Sequence, residues 1–142
     1  MGGPRQEDMG ILKELAQILA SYTAELETYS PEDLRDPKKY FGALYLLQSQ
    51  IQALIDMALR AAALLGTSPS GYIDAGRKLR EKGVFTEEDY RIYADVVRFR
   101  NILVHKYMMV KEEVVREIIE KRLYRGVAEL ARKILETLPG DP

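Results

Sequence analysis

The chain is 142 residues long, the size of one compact domain with a proper hydrophobic core, and its 21 Lys and Arg residues nearly cancel its 22 Asp and Glu. That balance excludes the strongly basic field of a protein that coats nucleic acid, so any nucleic-acid contact has to be local. The absence of cysteine excludes disulfides, thiolate catalysis and sulfur-built zinc sites, and no apolar run approaches the ~18 residues that cross a membrane.

The expectation from these bounds is a single cytoplasmic domain over residues 1–142, with 1–6 and 139–142 flexible. Apolar residues recur at three and four along the whole length, and strand-like alternation is absent, so the fold class is all-α. From about Gln6 to Thr28, a stripe of Ile11, Leu12, Leu15, Ile18, Leu19, Tyr22 and Leu26 predicts an amphipathic helix, with Lys13, Glu14, Gln17 and Glu25 facing away. Ser30-Pro31-Glu32-Asp33 offers a cap followed by proline, which predicts a short helical turn, and Asp36-Pro37 repeats the signal. Between Lys38 and Leu65 the apolar positions spread too widely for a surface helix, as expected for the centre of a bundle.

Gly66-Thr67-Ser68-Pro69-Ser70-Gly71 ends that pattern, and a shorter helix with Tyr72, Ile73, Ala75 and Leu79 runs to Lys82-Gly83. Thr86-Glu87-Glu88-Asp89 resembles a capping box with Asp at its last position. It opens a fourth helix. A final segment from Lys111 to about Leu138 carries Val114, Val115, Ile118, Ile119, Leu123, Val127, Leu130, Ile134 and Leu135, with Gly126 expected to bend or divide it.

The fourth helix holds the residues with chemistry in them. At 100° per residue Tyr93, Val96, Val97, Arg100, Leu103, Val104 and Tyr107 share one apolar face. An unpaired guanidinium there costs several kcal/mol, so Arg100 calls for a carboxylate, a subunit interface or an anionic ligand. His105, the one histidine, lies about 140° away on a polar strip with Asn101 and Arg98. Bringing the two together requires the helix to unwind near His105, Arg100 to curl round it, or two copies to meet about a twofold axis. Alone, an Arg and a His five apart are more often a solvated pair than a site.

The string Arg100-Asn101-Ile102-Leu103-Val104-His105-Lys106-Tyr107 resembles the Arg-x-x-x-x-His-x-Tyr signature of HEPN proteins, specifically the toxins of HEPN/MNT toxin–antitoxin pairs. The succession of helices from about Gln6 to Leu138 is similar too. The resemblance implies an antiparallel four- to five-helix bundle of HEPN type, a homodimer through the motif helix, and a metal-independent endoribonuclease that needs no cofactor. It assigns His105 as general acid or base while the RNA 2′-hydroxyl attacks the adjacent phosphate, with Arg100 stabilising the phosphoryl oxygens. Asn101, Arg98 and Lys106 would support the site or bind RNA. Tyr107 would receive AMP from a partner MNT-type nucleotidyltransferase antitoxin, which occludes the site and repels RNA phosphates.

Two other classes set the limits. A carboxylate-bridged metal bundle wants Glu-x-x-His pairs on two helices, but residue 102 is Ile and no second histidine exists. A non-catalytic HEPN module that binds a nucleotide or a nucleotidyltransferase could keep Arg100 and Tyr107 while having no need of His105. Retention of His105 favours the enzyme.

Overall fold

The computed structural model describes residues 6–138. The flexibility expected of residues 1–5 and 139–142 falls outside them, and Gln6 is already the first residue of a helix. The described residues form six α-helices: α1 (Gln6–Leu26), α2 (Pro37–Leu64), α3 (Tyr72–Glu81), α4 (Glu87–His105), α5 (Glu112–Glu120) and α6 (Tyr124–Thr137). Short 3-10 turns at Pro31–Arg35 and Tyr107–Met109 lie between them.

The start signals act as the side chains require. Asp33 accepts from the Ser30 amide at 2.8 Å, and Asp36 accepts from the Lys38 amide at 2.9 Å ahead of Pro37 at the first helical position. At α4 the Thr86 hydroxyl accepts from the Asp89 amide at 3.0 Å while the Asp89 carboxylate accepts from the Thr86 amide at 2.9 Å. The two bonds close a capping box, and Glu87, Glu88 and Asp89 favour the positive end of the helix dipole.

Helix α2 is the axis of the bundle. Its buried set, including Ala43, Leu47, Ile51, Leu54, Ile55, Ala58, Ala61 and Ala62, covers most of its circumference, and the alanines let neighbouring backbones approach closely. The main core joins α2 to α1, α3, α4 and α6 through Leu12, Leu19, Leu79, Val97, Val127 and Ile134. A second cluster of Leu26, Leu47, Leu103, Val115, Ile119 and Tyr124 seats α5. Each large side chain removed from water in this way contributes ~1.5–3 kcal/mol. Gln50 is fully buried between the clusters, where its amide nitrogen donates to Thr23 Oγ1 at 2.9 Å and to the Tyr124 carbonyl at 3.0 Å. One side chain thereby ties α2 to α1 and α6.

The final segment divides, but not at Gly126. Helix α5 ends with Arg122 at φ 55, the Leu123 amide donating to the Ile118 carbonyl at 3.0 Å and the Arg122 amide to the Ile119 carbonyl at 3.3 Å. This is the Schellman ending, normally built on glycine. Arg122 and Arg125 both reach Glu27 at the end of α1, Arg125 with bonds of 2.6 and 2.8 Å. The clamp offsets the cost of left-handed backbone at a side-chain-bearing residue. The Arg125 guanidinium, with Arg122 beside it, draws the Glu27 carboxyl down to about 2. Gly126 stays inside α6 because Val127, Leu130 and Ile134 hold its apolar stripe on the core.

Candidate active site

Helix α4 carries the motif and is built to hold it at its carboxyl end. Tyr93, Val97 and Leu103 are buried, which fixes the rotation of the helix and therefore where its polar residues emerge. Asp89 at the opposite end receives Lys133 of α6 at 2.8 and 2.9 Å. The helix stops at His105, and Lys106 leaves the helical region at φ −141 and ψ 43. Tyr107 consequently does not extend the apolar face as the periodicity predicted. It begins a 3-10 turn with its ring 60% exposed, followed by Met108 and Met109, also exposed. The physical reason is local: the three residues have no core to face, and the chain must turn to enter α5.

Arg100 is half-buried, as its place in the apolar stripe requires, and it lacks the carboxylate that such a position usually demands. Its Nη1 donates to Asn101 Oδ1 at 3.2 Å, and its guanidinium carbon lies 5.5 Å from the centre of the Tyr72 ring. Nε is buried without a hydrogen-bond partner. A guanidinium that no carboxylate neutralises suits an anion.

Asn101 stands one turn before His105, on the polar strip of α4. Asn101 accepts from Arg100, and no contact joins the Arg100 guanidinium to His105 among the described residues. The helix ends at His105. His105 and Lys106 are exposed. Arg98 is exposed as well, but its charge is balanced by Asp95 at 3.0 Å.

Tyr72 is the residue that sequence spacing missed. It opens α3, far from the motif in the chain, and its carbonyl accepts from the Tyr93 hydroxyl at 2.8 Å. Burial pushes the Tyr93 phenol far above its ordinary range, with Asp56 and Tyr72 adding to the effect, so that hydroxyl stays a donor. The two helices are brought together by Gly76, where a Cβ would stand 2.3 Å from the Tyr93 ring. The detectable signal was the glycine in mid-helix, which marks a close approach.

Comparison with known proteins settles the family. A model described as "Ribonuclease HepT-like" matches residues 11–136, nearly the whole chain. The chain belongs to the HepT-like family. Among curated proteins no sequence matches significantly. The HepT-like fold is shared with YutE from Bacillus subtilis, a cytosolic protein of unknown function, at a TM-score of 0.78 and 14% identity over 93% of this chain and 94% of that one. It is shared also with a chain of a toxin–antitoxin crystal structure with AMP-PNP, at a TM-score of 0.67 and 16% identity over 90% and 95% of the two chains. Membership of the family and the all-helical fold agree with the HEPN-toxin resemblance carried by the motif. Among the described residues no helix is long and apolar enough to cross a membrane, and no three His, Cys, Asp or Glu side chains group as a metal site.

Proposed function

We propose that this HepT-like protein is a metal-independent endoribonuclease toxin whose site is built from Arg100, Asn101 and His105. The observation that carries the reading is the Arg100 guanidinium, half-buried and facing no carboxylate among the described residues. Its donors suit the non-bridging oxygens of a phosphate, where charge builds up in the transition state. The RNA 2′-hydroxyl attacks the adjacent phosphorus, the bond to the 5′-oxygen breaks, and a 2′,3′-cyclic phosphate and a 5′-hydroxyl result. His105 accepts the 2′ proton or delivers one to the leaving oxygen.

Both proton transfers in one event need two groups, and a homodimer would supply a second His105. Support for pairing comes from Ile92 and Ile102 of α4, which are 40% and 38% exposed. An apolar stripe beside a half-formed site is what an isologous helix contact covers.

Silencing follows from Tyr107. Its exposed phenol is open to a nucleotidyltransferase antitoxin, which would join the phenol oxygen to the α-phosphorus of a nucleoside triphosphate and release pyrophosphate. The AMP placed two residues from His105 would add negative charge where RNA phosphates must approach. The test of the activity is cleavage of RNA in EDTA by wild type and His105→Ala, with analysis of the product ends. Cyclic-phosphate ends that vanish in the variant support the ribonuclease; unmodified wild type that cuts nothing moves the reading to a binding module.

A further inference from the structure

The ring of Tyr72 is 38% exposed although it lies against the Arg100 guanidinium at 5.5 Å from ring centre to Cζ. Tyrosine at a free surface costs nothing, but the backbone of this one is held in place. Its carbonyl is fixed by the fully buried Tyr93 hydroxyl at 2.8 Å, and Tyr93 is seated against Gly76 of the same helix as Tyr72. Tyr93 and Arg100 are seven residues apart, two turns on one side of α4. The arrangement therefore registers the Tyr72 ring against Arg100 through backbone and core.

We propose, resting on the ribonuclease reading of Arg100, that Tyr72 is the nucleobase platform of the site. A phosphate held by the guanidinium brings the base of the same or the neighbouring nucleotide within reach of the ring. Every nucleobase has a π-face, so an exposed ring that a cation already faces accepts a base by stacking without choosing its hydrogen-bond pattern. Tyr72 thus supplies affinity for single-stranded RNA, where bases are splayed and open to stacking, rather than for a duplex.

The chain contains no tryptophan, so Tyr72→Trp places a single indole reporter at the platform. A short 2′-O-methylated RNA, which cannot undergo 2′-hydroxyl attack, is expected to quench it, and a strand of the same length lacking bases is not. With cleavable RNA, Tyr72→Leu is expected to raise KM by about 10- to 100-fold, the size of one lost base stack, with a smaller change in kcat. Tyr72→Phe is expected to recover most of the loss, since the ring remains. None of the three substitutions removes the backbone carbonyl that Tyr93 holds. Wild-type cleavage with unchanged KM in Tyr72→Leu, or equal quenching by the baseless strand, overturns the platform while leaving the ribonuclease intact. A lowered oligomeric mass of Tyr72→Leu would assign the ring to a protein contact and also overturn it. Quenching by bases in a protein that cuts no RNA would keep the platform and remove the nuclease.

Discussion

Arg100 Nη1 donates to Asn101 Oδ1 across 3.2 Å, a bond between neighbours in sequence that point to different sides of α4. The bond uses the amide oxygen of Asn101 and leaves the amide nitrogen to donate elsewhere. It also sets where the guanidinium sits without neutralising it. Asn101→Ala is expected to lower RNA cleavage by about 10- to 100-fold, the worth of a hydrogen bond to a charged group, whereas His105→Ala is expected to remove it. Single-turnover rates with matched protein would separate the two.

Gly76 predicts a stability effect with no charge involved. Alanine there sets a Cβ 2.3 Å from the Tyr93 ring, and α3 must move outward or the ring must turn. Gly76→Ala is expected to cost about 1–3 kcal/mol, seen as a fall of several degrees in Tm. Because Tyr93 also fixes Tyr72, RNA affinity should drop in parallel. A melting temperature equal to wild type would contradict the close approach.

Acid should weaken the bundle through Asp89. Partial burial pushes its carboxyl up, but the Lys133 ammonium and the Thr86 amide and hydroxyl outweigh that and leave it below the ordinary range. The folded state therefore holds its proton less tightly than the unfolded chain. Stability from the pair is complete above the ordinary carboxylate range and is lost as pH falls through the folded value. Glu27 has the same sign, its folded value lying at about 2. Urea midpoints are expected to be level from pH 6 to 8 and to fall below about pH 4. Asp89→Asn should be less stable at neutral pH and show a shallower acid slope.

Pairing through α4 predicts that Ile102→Asp yields a monomer, because a carboxylate in the apolar stripe cannot be buried without a partner. Sedimentation of wild type is expected to give twice the chain mass. Loss of cleavage together with loss of pairing would show that each site needs both copies.

Coexpression with a nucleotidyltransferase antitoxin is expected to add one AMP to the intact mass of the chain. Tyr107→Phe should abolish the addition and leave the toxin active in the presence of the antitoxin. Addition that persists in the variant would place the acceptor elsewhere.

The helices were legible in the sequence because their signals are local. Asp33, Asp36 and Thr86 each sit beside the amides they accept from, and the spread of apolar residues along 38–65 could belong only to a helix with neighbours on most sides. The division at Arg122 was not legible, since glycine attracts the prediction and Gly126 was near. What decided it was an ion-pair clamp to Glu27, distant in the chain. The Tyr72 contact escaped for the same reason: periodicity orders residues within one helix and is silent about which residue of another helix will lie beside them. The stop at His105 had no glycine or proline to announce it, only the lack of a surface for Tyr107 to cover.

Tyr107 belongs to neither hydrophobic cluster, and its ring is 60% exposed. Nothing in the folded bundle depends on what its oxygen carries. On the proposed reading, a group added there is expected to leave the folding free energy close to that of the unmarked chain, so proteolysis and chaperones would have little thermodynamic means of sorting marked from unmarked copies. The proportion of each would then follow from the rates of writing and erasing.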